Sequence, residues 1–148
     1  MAIWQYRLFV IPEEEINSYF LNEDYLSEDA FNEIDWWKYK RIDEISLGDL
    51  ISLLAESKSW SNNIYQLGNI ESDCLEILFN KQKILEISIR VDLRNNYNSL
   101  IEAICKFGRR NALIFLNYNL KLLSPDEIIL KEDISNYNLF DDFITKNQ

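Results

Sequence analysis

Residues 74–116, CLEILFNKQKILEISIRVDLRNNYNSLIEAICKFGRRNALIFL, decide the fold. Within them, residues 84–93 alternate: Leu85, Ile87, Ile89, Val91 and Leu93 point one way, Glu86, Ser88, Arg90 and Asp92 the other. A period of two is the pattern of a strand with one buried and one wet face. Residues 74–79 supply its hairpin partner, joined through the polar loop 80–83. Asn95-Asn96 breaks the strand, and residues 97–108 read as a helix with Leu100, Ile101, Ile104, Cys105 and Phe107 on one stripe. Gly108 is placed as its terminator, and Arg109 and Arg110 suit the negative end of the helix dipole. Residues 112–116 form a short apolar strand, and 120–123 a last one beyond the turn Asn117-Tyr118-Asn119.

Towards the N-terminus, residues 3–11 read as the first strand, with Trp4, Tyr6, Leu8 and Val10 on one face. Gln5 and Arg7 interrupt the other. Pro12 and the three glutamates after it favour a helix start, giving a short helix over 13–21 through Ile16, Tyr19 and Phe20. Ser27 can cap a second helix with Phe31, Ile34 and Trp37 (or Trp36) as its stripe; an irregular loop with inward aromatics is the alternative. Ser46 and Asp49 resemble a capping box, and Leu47, Leu50, Ile51 and Leu54 repeat at helical spacing, so a helix is expected to about residue 56. Gly68-Asn69 marks a turn. Towards the C-terminus, Ser124-Pro125-Asp126-Glu127 reads as Ser cap, Pro in the first turn and Glu three on, starting a helix to about 131. Asn138 is placed as the cap of a final helix carrying Leu139, Phe140 and Phe143.

These elements give an α+β fold in one domain spanning all 148 residues. The expectation is an antiparallel sheet with helices on one face: a ferredoxin-like β-α-β-β-α-β core with a long helical first crossover and C-terminal helices. Right-handed crossovers place the 3–11 strand between the 84–93 and 112–116 strands. A sheet of different strand order is the competing arrangement.

Composition removes several function classes. There is no histidine, so the commonest general base and zinc ligand are absent. With three glycines the chain holds neither a P-loop nor a GxGxxG turn, and its acidic clusters lack EF-hand spacing. The expectation is therefore a non-enzyme with no cofactor and no metal. Cys74 and Cys105 read as reduced core residues. No apolar run approaches the roughly 20 residues of a membrane span, and the first residues lack a signal peptide's basic region, so a cytoplasmic protein without a membrane partner is expected. Nucleic acid is disfavoured too, because the outward positions of the 84–93 strand carry no stacking ring and the charge opposes phosphate.

The net charge of −10 is unevenly spread. Between Pro12 and Trp36 stand Glu13, Glu14, Glu15, Glu23, Asp24, Glu28, Asp29, Glu33 and Asp35 without one lysine or arginine. An acidic surface steers basic partners, although it can also serve only solubility. The candidate partner-binding residues are Glu13, Glu14, Glu15, Asp24, Glu28, Asp29 and Asp35, with Trp36, Trp37 and Trp60 as aromatic anchors. Each tryptophan can instead pack against the sheet. Neighbouring helical positions diverge by about 100°, which argues against both Trp36 and Trp37 doing so, while Trp60 fits a plug at the core edge.

Two stretches, SWSNNIYQLGN (59–69) and EISIRVDLR (86–94) with the helix after it, resemble small acidic bacterial proteins, some of which are immunity partners of toxins. The resemblance carries no defined functional residues. It implies a cytosolic protein that binds and blocks a cognate toxin, often a basic nuclease. Alternatives are a small-ligand-binding regulatory domain and a phage or structural accessory protein.

Overall fold

A computed structural model describes residues 2–137 and shows an α+β architecture around one seven-stranded antiparallel sheet. In chain order come β1 (Gln5–Pro12), α1 (Ile16–Tyr19), α2 (Glu28–Glu33), α3 (Gly48–Ile51), β2 (Glu56–Ser57), β3 (Ile64–Gly68), β4 (Cys74–Asn80), β5 (Lys83–Asp92), α4 (Asn98–Arg110), β6 (Leu113–Leu116), β7 (Leu122–Leu123) and α5 (Glu127–Asn136). The strand order is β2-β3-β4-β5-β1-β6-β7, so β1 lies between β5 and β6, and the sheet extends beyond four strands at both edges. The expected final helix from Asn138 lies outside the described residues.

The two faces of the sheet differ in chemistry. Tyr6, Leu8 and Val10 of β1 pair with Val91, Ile89 and Ile87 of β5, and all six are buried in the core. Helix α4 lays Leu100, Ile101, Ile104 and Phe107 into that core. Helix α5 docks beside it through the Tyr6 hydroxyl, which donates to Asp133, and through the Tyr6–Tyr137 edge contact. The helices do not all lie on one face, contrary to expectation. Phe31 of α2 packs its ring 5.0 Å from Phe9, which points to the opposite side of β1. The first connection therefore covers part of the second face before passing the β4–β5 hairpin, where Ile42 N–H donates to the Gln82 carbonyl.

That second face was expected to be wet, yet Ser88 and Asp92 are buried at 4% and 1% exposure. The 69–73 loop folds over its β1 start: Gln5 Nε2 donates to the carbonyls of Ile70 and Ser72, both at 2.8 Å. Asp92 accepts from the Ser72 hydroxyl at 2.9 Å and from Arg94 Nη2 at 2.8 Å. Gln5, Arg90 and Asp92 on this face bond to the loop rather than to water.

Three helical expectations shift for local reasons. Residues 46–56 form only the single turn of α3, which Asp49 ties to Arg110 Nε at 2.6 Å and Ser46 N–H to Asn111 Oδ1. Gly108 lies inside α4; a Cβ there would stand 2.9 Å from Phe115 and from Pro125, so close packing explains the glycine. Helix α5 begins after Asp126, whose carboxylate accepts from the N–H groups of Ile128 and Ile129, so Asp126 rather than Ser124 is its cap. The segment before the Gly68-Asn69 turn, for which no strand is expected, forms β3.

The Asp92 knot has a pH signature. The Arg94 guanidinium, helped by Ser72, holds the Asp92 carboxyl below its ordinary value, whereas burial pushes Asp73 above it. A depressed carboxyl contributes stability that is complete above the unfolded value of about 3.9 and lost as pH falls through the folded value. Asp73 acts in the opposite sense, its ionised form disfavouring the fold. Asp92→Asn is expected to cost about 2 kcal/mol at neutral pH, the worth of hydrogen bonds to a charged group. Urea denaturation at descending pH should show this deficit shrinking below about pH 4.

Candidate functional site

On the second face, between the region under α2 and the region under the 69–73 loop, the sheet carries a cleft of about 460 Å³. Arg7 and Phe9 of β1 and Glu86 of β5 line its base. One wall is α2 with Leu26 before it; the other is the turn through Tyr118, Asn119 and Leu120. Backbone bonds hold the walls together, Leu26 N–H to the Leu120 carbonyl at 3.1 Å and Leu122 N–H to the Asp24 carbonyl at 2.6 Å. Ser27 Oγ accepts from Ala30 N–H at 3.1 Å and starts α2, which sets Glu28, Phe31 and Asn32 on the cleft.

Electrostatics in the cleft are mixed. Arg7 Nη2 lies 3.8 Å from Glu86 Oε2, beyond hydrogen-bond length, and its guanidinium carbon sits 4.6 Å over the Phe9 ring. Arg90, opposite Arg7 in the β1–β5 register, stands 3.4 Å from Glu76. From the cleft, where Glu28 stands, outward, the α2 wall presents Glu23, Asp24, Glu28, Asp29 and Glu33 to solvent, and none of them is in an ion pair among the described residues. Leu21, Tyr25 and Tyr118 are also exposed, at 76%, 53% and 45%. Exposed rings thus stand beside carboxylates that have no ion-pair partner among the described residues.

The sequence-derived candidates separate into groups. Glu28 and Asp29 share the first turn of α2, and Asp24 lies exposed four residues before it. Glu13 and Glu14 are exposed at the far end of β1, whereas Glu15 is buried. Asp35 is exposed but bonded to Lys83 Nζ at 2.9 Å. Trp36 and Trp37 are not surface anchors: both are buried, at 5% and 3% exposure. They occupy a turn rather than a helix, which lets both rings point inward; Trp36 packs with Tyr19, Phe20 and Phe31. Trp60 shows the reverse, 76% exposed beside a shallow groove at the β2–β3 edge, away from the acidic wall. Sequence reasoning did not single out Glu86, Asn32 or Tyr118. Arg7 did leave a signal, a charge in mid-strand on the interrupted face of β1.

Other chemistry is limited. Cys74 and Cys105 are fully buried free thiols, and burial pushes each up to about 11, so neither is a thiolate at neutral pH. Among the described residues no group of three or more His, Cys, Asp or Glu side chains is arranged to hold a metal ion. None of the described helices is long and apolar enough to cross a membrane. No protein-family model, curated protein or solved structure matches the chain.

Proposed function

We propose that this chain is a non-enzymatic binding module that docks a basic protein partner on the acidic α2 wall. More particularly, it is an inhibitor of the immunity type, a cytoplasmic protein that blocks a basic toxin. The four strands β4-β5-β1-β6, with α4 on one side, serve as a ferredoxin-like scaffold for that wall. The single observation that carries the reading is the wall itself: exposed carboxylates from Glu23 to Glu33 without ion-pair partners among the described residues, flanked by Leu21, Tyr25 and Tyr118. Such a surface accelerates encounter with a cation-rich partner, and the rings then hold it.

The test uses the protein encoded by the adjoining gene. Replacing Asp24, Glu28 and Asp29 with their amides is expected to slow association with it by about tenfold at low salt, with little change in dissociation. Tyr25→Ala is expected to speed dissociation instead. Surface plasmon resonance separates the two rates. Equal association rates for the wild-type and triple-amide proteins, or an adjoining gene without a basic product that binds, contradict the proposal.

A further inference from the structure

Arg7 and Arg90 stand side by side on the cleft face of the sheet. Like charges placed opposite one another across two strands destabilise the pair. Each has only a loose carboxylate neighbour, 3.8 Å away for Arg7 and 3.4 Å for Arg90. The Nε of each is buried and finds no acceptor among the described residues. A buried donor without an acceptor is costly, and an anion on the accessible part of the Arg7 guanidinium would offset the repulsion between the two arginines. Arg90 already donates from Nη1 to the Ile70 carbonyl at 3.0 Å, and it is Arg7 that lines the cleft.

The surroundings of Arg7 narrow the choice of anion. Glu28 and Glu86 line the same cleft, and the protein carries a net charge of −10, so a simple anion is repelled at the mouth. A zwitterion is not: its carboxylate meets Arg7 while its ammonium meets Glu28 or Glu86. The rest of the lining includes Phe9, Leu26 and Phe31, which suit an apolar body. The volume of about 460 Å³ falls within the range of ~300–1,000 Å³ for small-ligand sites.

We propose that the cleft binds a free α-amino acid with an apolar side chain, its carboxylate on Arg7 and its ammonium on the Glu28–Glu86 side. This is a small-molecule site inside the wall, and it stands whether or not the outer face docks a partner.

The test follows the arginine Nε–Hε signals of ¹⁵N-labelled protein during titration with L-phenylalanine and L-leucine to ~10 mM. The two halves, 3-phenylpropionate and phenethylamine, are titrated in parallel. A zwitterion is expected to shift the Arg7 signal, and each half to bind about tenfold more weakly or less. Glu28→Gln, an exposed change that leaves the fold intact, should weaken phenylalanine binding and bring 3-phenylpropionate closer to it. Arg7→Lys, which keeps the charge but loses Nε, should abolish the preference for the carboxylate-bearing ligands. An Arg7 signal that no zwitterion moves, or a zwitterion that binds the Glu28→Gln and Arg7→Lys proteins as it binds the wild type, overturns the proposal.

Discussion

Gly68→Ala is expected to lower the free energy of unfolding by about 3 kcal/mol or more, a large share of a small domain's stability. Gly68 adopts φ +78°, a region in which side chains are strained, and an added Cβ would stand 2.1 Å from the Asp73 carbonyl oxygen. The obstacle is backbone, so no side-chain rotation relieves it. Asp73 in turn is fixed by its carboxylate, which accepts from Asp92 N–H at 2.6 Å. Gly68 N–H donates to the Ala55 carbonyl at 2.7 Å, and its carbonyl accepts from Ser57 Oγ and Gln66 Nε2. Displacing the residue would therefore loosen the β2–β3 edge together with the loop that seals Asp92. Urea denaturation measures the effect; a loss below about 1 kcal/mol would mean that the 69–73 loop can shift cheaply.

Trp36→Ala and Trp37→Ala are each expected to cost about 3–5 kcal/mol, the usual consequence of emptying a large aromatic from a packed site. Trp36 also loses the bond from its Nε1 to the Phe31 carbonyl at 3.2 Å, and with it the support that holds α2 against Phe9. Trp36→Ala is thus expected to disturb the acidic wall, through packing rather than contact. Trp60→Ala, at a ring 76% exposed, should change stability by no more than about 0.5 kcal/mol. Thermal denaturation of the three variants separates these outcomes, and acrylamide should quench Trp60 well before the buried rings.

The difference between these tryptophans shows where local sequence patterns stop being informative. The 84–93 alternation correctly placed Ile87, Ile89 and Val91 in the core, because strand parity depends only on the chain itself. It misplaced Leu85, which is 48% exposed, and it left Ser88 and Asp92 in water. For Asp92 the burial comes from a loop whose Ser72 lies 20 residues away in the chain. Helical geometry would turn Trp36 and Trp37 apart by about 100°, but the chain forms a turn there and both bury. Strand β3 carries little signal of its own; its Leu67, paired in register with Leu75 of β4, is buried in the common core. The acidity of the α2 wall was fully legible, because charge is a property of composition. The cleft was not, for it gathers residue 7, residues 26–32, residue 86 and residues 118–120 from separated elements.

The central claim, that the acidic wall steers a basic partner into a complex, is tested most directly by one rate. The association rate of the wild-type protein with the product of the adjoining gene should be measured from low to high ionic strength. Shortening the Debye length from ~30 Å at 0.01 M salt to ~3 Å at 1 M should slow association by about a hundredfold, with dissociation nearly constant. An association rate that stays flat across that range would contradict the account.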